Sequence, residues 1–279
     1  MDLWFKEIHH GSIGFCLKVK QTLFSGESEF QKLDIIDTEA MGRVMLLDGL
    51  VMLTEKDEFI YHEMIAHVPL CVHPAPKQVL IIGGGDGGTV REIIRHPGVE
   101  HIDLVEIDKM VVDQSLQFFP DVANQLNNPK VTIHYKDGIT FVREHKNFYD
   151  LIIIDSTDPI GPAVGLVSKE FYADCHQALK ENGLLTAQTE GPFFDEEIIK
   201  PIYRNLSQFF LHTRMYLSAI PSYPGGYWSF AFASKKYQPL MDINKERADL
   251  ISQQTRFYNS KIHAASFALP NFVKEFYLG

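Results

Sequence analysis

Apolar and polar positions change their period twice along this chain. Through residues 1 to about 55 they alternate in short runs. Phe15, Leu17 and Val19 fall on one side and Cys16 and Lys18 on the other, and Lys32 to Ile36 follows. Val44-Met45-Leu46-Leu47 and Val51-Met52-Leu53 then flank Asp48-Gly49, a pair favoured in two-residue hairpins. This pattern predicts a small antiparallel β unit, whose edge strands would want a partner. From Glu58 to Cys71 the apolar residues Ile60, Met64, Val68 and Cys71 recur at helical spacing. Beyond Lys77, apolar runs at 77–82, 102–106, 131–135, 151–155 and 184–188 read as strands. Helical patterns at 89–95, 109–118, 138–144, 169–179 and 196–209 separate or follow them. Near-continuous Val/Ile/Leu strands alternating with helices predict a parallel, doubly wound α/β sheet covered on both faces. Two late strands, 215–219 and 228–233, would finish the sheet, and 244–279 would form terminal helices. The expected organisation is a small N-terminal β domain (1–55) followed by the α/β domain (56–279).

Composition narrows the partners without altering that picture. The 279 residues are 45% hydrophobic and 22% charged, ordinary for a globular chain, and the formal net charge is -10. An acidic surface disfavours nucleic acid and anionic membranes, so neither is expected as a partner. The three cysteines, Cys16, Cys71 and Cys175, are far apart and form no paired motif. Reduced thiols and a cytoplasmic location are therefore expected, with no signal peptide or membrane span in view.

The first chemistry lies in Gly83-Gly84-Gly85-Asp86-Gly87-Gly88, directly after a strand and before a helix. Such a turn brings backbone close to a ligand at a helix N-terminus, which normally favours an anion. Glu106 follows 20 residues after Asp86, at the end of the next strand, where a carboxylate accepts from ribose hydroxyls. A nucleoside site results, but Asp86 would repel a pyrophosphate. S-adenosylmethionine would bring its own carboxylate to that place. Its decarboxylated form presents only a sulfonium and an ammonium and suits Asp86 best. Asp137-Gly138, after the third strand, could accept from an adenine amino group while Gly138 lets the ring approach. Asp137 could equally serve as a helix N-cap.

A second acidic feature is Asp155-Ser156-Thr157-Asp158-Pro159-Ile160-Gly161-Pro162, at the end of the fourth strand. Asp158-Pro159 could be no more than an Asx-turn. Its functional reading is a pair of carboxylates that hold an ammonium while one takes its proton. An alkylammonium has a pKa of about 10.4 and no lone pair, so it cannot attack carbon until deprotonated. A carboxylate near 4 is mismatched by roughly six units, or about 8 kcal/mol, which desolvation in a closed site must narrow.

Together with Ile220-Pro221-Ser222-Tyr223-Pro224-Gly225-Gly226, these motifs resemble the spermidine synthases, polyamine aminopropyltransferases, over almost the whole chain. The resemblance implies a Rossmann-like, methyltransferase-type domain preceded by a small β domain, working as a homodimer or homotetramer. It implies aminopropyl transfer from decarboxylated S-adenosylmethionine, a co-substrate rather than a cofactor, to putrescine. Spermidine and 5′-methylthioadenosine would be the products. By position Asp155 resembles the proton acceptor and Asp158 the carboxylate that orients the amine. Asp86 would hold the aminopropyl ammonium, Glu106 the ribose, and Asp137 with Gly138 the adenine. Gln31 resembles the glutamine that contacts the nucleoside, and Pro162 lies in the covering loop. Tyr61 and His62 match positions beside the aminopropyl group and the acceptor, whereas Tyr223 and Glu190 resemble acceptor-pocket residues. A tryptophan that lines the acceptor site in some eukaryotic members has no clear counterpart before residue 60.

Other signals point elsewhere. His62 and His67 imitate a zinc motif, but five residues apart they are turned about 140° from one another on a helix, so no metal is expected there. His9-His10 reads as a polar turn. Aromatic pairs such as Phe193-Phe194, Phe209-Phe210 and Tyr227-Trp228 read as packing. Three rival readings stand beside putrescine transfer: another amine acceptor, a methyltransferase of the same fold, and a non-catalytic nucleoside or polyamine binder.

Overall fold

The computed structural model describes residues 2–158 and 161–277, with the backbone path alone for Gly161 and Pro162. Five strands, β1 (Leu3–His9), β2 (Ile13–Glu27), β3 (Lys32–Thr38), β4 (Gly42–Leu47) and β5 (Leu50–Thr54), form an antiparallel meander in chain order. Asp48 and Gly49 both adopt positive φ, +49° and +82°, as a tight primed hairpin requires. Alternation in the sequence marked only the part of β2 around Leu17 and Val19, its two buried residues, and missed β1 altogether. The reason is exposure: Leu3, Trp4 and Ile8 on edge strand β1 are apolar yet face outward, so no clean two-sided pattern forms.

Helix α1 (Glu58–Leu70) connects this sheet to the second one. The spacing of Ile60, Met64 and Val68 suggested one apolar stripe. In the fold every residue of the helix except Phe59 is buried, so its polar side chains must find partners inside the protein. That demand brings Tyr61 and His62 to the functional site and sends Glu63 and His67 elsewhere.

The second sheet contains β6 (Gln78–Gly83), β7 (His101–Glu106), β8 (Val131–Tyr135), β9 (Tyr149–Asp155), β10 (Leu179–Gln188), β11 (His212–Ala219) and β12 (Tyr227–Ser234). Their order is β11-β12-β10-β9-β6-β7-β8. Strands β8 to β10 in this arrangement run parallel, whereas β12 is antiparallel to both β10 and β11. The predicted parallel sheet is thus mixed: the last strand inserts beside β10 and pushes β11 to the edge. Helices α2 (Gly88–Ile94), α3 (Lys109–Phe118), α4 (Pro120–Ala123), α5 (Gly138–Arg143), α6 (Lys169–Ala178) and α7 (Glu196–Leu206) provide the crossovers. Three short helices, α8 (Lys245–Ser252), α9 (Ser260–Ser266) and α10 (Asn271–Tyr277), close the chain.

Strand β6 shows why the apolar runs were continuous. Val79 and Ile81 enter one core with α1, and Leu80 and Ile82 enter another with α6 and α7. Both faces are buried, as parallel strands under two helical layers require. The chain reverses its direction of travel across the sheet between β6 and β9. Ligands in such sheets bind beyond the carboxyl ends of the strands at that point. The β domain reaches the same edge, because Leu33, Ile35 and Met45 pack against Val111 of α3 and Phe119 and Val122 near α4.

Candidate active site

A cavity of about 450 Å³ opens at the carboxyl ends of β6, β7 and β9, roofed by the β domain. Its size falls within the usual range of small-molecule ligand sites. The glycine turn forms its floor through close approach to β9. Gly83 and Gly84 have φ of +82° and +67°, and the Gly84 N–H donates to the Asp155 carbonyl at 2.8 Å. A Cβ on Gly83 would overlap that same carbonyl oxygen. Asp86 then turns into the cavity, where Oδ1 accepts from the Gly88 N–H at 2.7 Å and faces His62 Nε2 at 3.2 Å. Glu106 accepts from the N–H groups of Gly85 (3.2 Å) and Asp108 (2.9 Å), which ties the turn to β7.

Charge in this region is arranged in alternation. Burial alone would lower the pKa of His62, but carboxylates at both ring nitrogens, Asp86 and Glu58 (2.6 Å from Nδ1), raise it to about 10. His62 is therefore an imidazolium at neutral pH. Burial likewise opposes ionisation of Asp86, yet His62 and the Gly88 N–H outweigh it and hold the carboxyl below its usual range. Asp155 moves the other way: burial first, then repulsion from Asp86, raise its pKa. Two neighbouring carboxyls pushed apart in acidity are suited to different tasks, one a fixed charge and one a proton acceptor. The ligand atoms of His62, Asp86 and Asp155 lie within 4.8 Å of one another, close enough for a metal. A ring that carries a proton on each nitrogen has no lone pair to offer, so in this state the cluster suits an ammonium instead.

Asp155 is held at both oxygens. Tyr61 donates to Oδ1 at 2.7 Å and Thr89 to Oδ2 at 2.6 Å. Sequence reasoning missed Thr89, although its place directly after the glycine turn was a usable signal. It also missed Asp108, whose Oδ2 accepts from Gln31 Nε2 at 3.0 Å and fastens the β2–β3 loop to the cavity rim. Asp137 takes the capping role left open for it and also faces the cavity. It caps α5, accepting from the Ile139 N–H and the Thr140 hydroxyl at 2.9 Å each, and it lines the cavity. Beside it, a Cβ on Gly138 would overlap Ile82, so a flat surface is kept there. Tyr223 sets its ring edge-on to Tyr61, with centroids 6.0 Å apart, and donates its hydroxyl to the Met52 carbonyl of β5 at 2.8 Å.

Of the twelve residues singled out, Gln31, Tyr61, His62, Asp86, Glu106, Asp137, Gly138, Asp155, Asp158 and Tyr223 all line this cavity. Glu190 does not. It lies just behind Asp158, with a φ of +70° and Oε1 3.3 Å from Gln188 Nε2. Burial and the proximity of Asp158 raise the Glu190 pKa well above its ordinary value, and burial raises that of Asp158. Gln188, at the end of β10, also reaches the Ser156 carbonyl at 3.2 Å, a contact the sequence did not disclose. The backbone at Pro162 belongs to the 3-10 segment Gly161–Val167, while its side chain, Pro159 and Ile160 lie outside the described residues. The two motif histidines diverge as their spacing demands, since His67 bonds His96 and Glu92 at 2.9 and 3.1 Å. His9 and His10 pair with Glu7 and Asp195 at 2.9 and 3.2 Å.

Glu106 gives the site a measurable pH signature. Burial first, with repulsion from Asp108 and Asp86, raises its pKa to about 7. If Glu106 accepts from ribose hydroxyls, as the resemblance implies, binding favours the ionised form. Nucleoside affinity is expected to be full above pH 7 and to fall by up to about tenfold for each unit below it. Calorimetric titration of 5′-methylthioadenosine between pH 5.5 and 8 checks this; a flat profile would remove Glu106 from the contact.

The doubly wound sheet, glycine turn, buried acid at the end of β7 and acidic cavity define a protein of the methyltransferase-like fold class. The chain matches the spermine/spermidine synthase domain over residues 58–245 and the spermidine synthase tetramerisation domain over residues 3–55. It is 49% identical over 277 residues to a polyamine aminopropyltransferase of Alkaliphilus oremlandii, covering 99% of this chain and 98% of that one. A polyamine aminopropyltransferase of Clostridium perfringens is 48% identical with the same coverage. A spermidine synthase solved in complex with the transition-state analogue AdoDATO superposes with a TM-score of 0.97 at 44% identity, over 99% of this chain and 94% of that one. The enzyme from Thermotoga maritima gives 0.94 at 43% with the same coverage. The chain belongs to the spermine/spermidine synthase family, a family of aminopropyltransferases.

Proposed function

We propose that this enzyme transfers the aminopropyl group of decarboxylated S-adenosylmethionine to putrescine, giving spermidine and 5′-methylthioadenosine. The observation that carries this reading is the placement of two differently bonded carboxyls, Asp86 against His62 and the Gly88 N–H and Asp155 against Tyr61 and Thr89, in one cavity that Glu106 also lines. Glu106 takes the ribose hydroxyls, Asp137 and Gly138 the adenine, and Gln31 the nucleoside edge. Asp86, kept anionic, takes the aminopropyl ammonium. An amine nitrogen of putrescine lies against Tyr61 and Asp155, and Asp158, with Glu190 behind it, orients the diamine beside Tyr223. As that nitrogen attacks the carbon bonded to sulfur, the C–N bond forms and the C–S bond breaks. The bonding pair returns to sulfur as a neutral thioether. The lone pair for this attack is freed when the ammonium gives a proton to Asp155, whose burial has moved its basicity toward that of the amine. The positive charge moves from sulfur to the new secondary ammonium and the leaving group is neutral, so positioning supplies most of the acceleration.

No cofactor enters the scheme. Residues 1–55 are read as the oligomerisation unit and 56–279 as the catalytic domain. The match of residues 3–55 to a tetramerisation domain, together with exposed Leu3, Trp4 and Ile8, supports a homotetramer over a homodimer. A cytoplasmic setting fits three unpaired cysteines and the lack of any described helix long and apolar enough to cross a membrane.

The deciding experiment offers putrescine, cadaverine, agmatine and spermidine separately with decarboxylated S-adenosylmethionine and identifies products by mass spectrometry. Spermidine as the dominant product upholds the assignment. Transfer chiefly to another amine keeps the mechanism and changes the substrate, and no transfer with the donor bound favours a binding protein. Asp86→Asn is expected to weaken donor binding by about ten- to a hundredfold, as loss of a charge-assisted contact does, and 5′-methylthioadenosine binding far less. Equal losses would overturn the role given to Asp86.

A further inference from the structure

We infer that Glu58 and Arg91 are positioning residues of the donor pocket: Glu58 clamps His62 so that its Nε2–H faces Asp86, and Arg91 clamps Glu58. This rests on the reading of Asp86 as the seat of the aminopropyl ammonium. The contacts form an unbroken chain that starts at the cavity wall, where Glu58 and His62 both lie, and leads away through Arg91. Glu58 Oε2 meets His62 Nδ1 at 2.6 Å, and both of its oxygens accept from Arg91, at 2.8 and 3.0 Å. Arg91 Nε donates in turn to Glu92 at 2.7 Å, and Glu92 is shared with His67 and Arg95 at 3.1 and 2.7 Å. Glu58, His62 and Glu92 are all buried, so each of these charges needs a charged partner.

Three elements are needed to make the clamp. Glu58 and His62 lie one turn apart on α1, Arg91 projects from α2, and Asp86 precedes α2 in the glycine turn. Gly88 completes the fit, since a Cβ there would overlap the His62 ring. The charged or titratable groups facing His62 are Glu58 and Tyr61 from its own helix, Asp86 from the turn and Asp155 from β9, with Arg91 behind Glu58. A ring bonded at both nitrogens can neither flip nor release Asp86. With Oδ1 of Asp86 engaged by His62 and the Gly88 N–H, Oδ2 is left for a ligand. Without Glu58 the ring needs only one proton, and Asp86 and Asp155 face each other with no cation held between them. Glu58 touches no reacting atom in this account and acts through His62.

The test is Glu58→Gln, with Arg91→Lys as the second variant should the first fail to fold. Nitrogen-resolved NMR follows the His62 ring. In the native enzyme the ring is expected to stay charged to about pH 10, and in Glu58→Gln to titrate at distinctly lower pH. Arg91→Lys, which keeps the charge and loses the fork, should show a smaller displacement in the same direction. Above the new His62 pKa, kcat/KM for the decarboxylated donor should fall by about tenfold, as loss of one charge-assisted hydrogen bond predicts, while 5′-methylthioadenosine affinity is kept. A His62 titration unchanged in both variants, or kcat/KM lowered by one factor at every pH, would overturn the inference. Because the NMR readout needs no turnover, it stands apart from failure of the proposed reaction.

Discussion

Asp155→Asn is expected to lower kcat by about a thousandfold, within the range of roughly 10²–10⁴ that a positioned proton acceptor contributes. The exchange is nearly isosteric and the local geometry can absorb it. Tyr61 and Thr89 each donate to one oxygen of Asp155. An amide keeps one acceptor and adds one donor, and the Thr89 hydroxyl can rotate to accept from it. Repulsion from Asp86 disappears at the same time, so the donor pocket should be undisturbed or slightly relaxed. The expected result is therefore a split: 5′-methylthioadenosine affinity within a few-fold of native by calorimetry, with single-turnover transfer nearly abolished. The pH profile supplies the sign. Asp155 works as the ionised form and its pKa is raised, so native kcat should fall as pH drops through that raised value. In the variant this acid limb should vanish from the residual rate. A kcat within tenfold of native, or nucleoside binding lost in parallel, would remove Asp155 from the role of base.

What the sequence disclosed follows from where each signal resides. Strands β6, β7 and β9 are buried on both faces, so their apolar runs were near-continuous and easily found. Val131–Tyr135 and Lys109–Phe118 coincide with the expected bounds. Edge strand β1 carries its apolar residues outward and gave no such contrast. Insertion of β12 beside β10 depends on pairing across a turn, which local periodicity does not encode.

The site divides in the same manner. Glycines and acids at strand ends could be read from spacing, because the carboxyl edge of a wound sheet is a fixed place. Partners that set their protonation could not. Glu58 was only the first residue of a helical pattern, and Arg91 lay unremarked within the next. Only the near-complete burial of α1 shows that Glu58, His62 and Glu63 each need an internal partner. Glu63 finds three, the backbone N–H groups of Arg256, Phe257 and Tyr258 at 2.8 Å each, and so fixes the C-terminal segment to α1. No spacing rule links residue 63 to residue 256.

Gly83→Ala should be the most damaging small substitution, because one residue joins fold and chemistry there. Gly83 pairs with Asp155 in the β6–β9 ladder and holds a φ of +82°. An alanine in that conformation costs about 1–2 kcal/mol from the backbone alone. Its methyl would also overlap the Asp155 carbonyl, and a neighbouring backbone cannot rotate aside as a side chain can. The combined cost is about 3–5 kcal/mol, at the far end of single-residue effects and a large share of a domain's usual margin of roughly 5–15 kcal/mol. Gly49 provides an internal control. It has the same φ of +82°, in the β4–β5 hairpin, and a Cβ there meets nothing within 4 Å. Gly49→Ala should therefore lose only the backbone contribution. Denaturant unfolding of both variants is expected to separate them by at least about 2 kcal/mol, the steric share of the Gly83 site. Folded Gly83→Ala should also lose kcat, since relief of the overlap requires β9 to move and takes the Asp155 carboxyl with it. Equal destabilisation of the two variants would mean that the glycine turn tolerates a side chain against β9, and the close approach that shapes the donor pocket would lose its explanation.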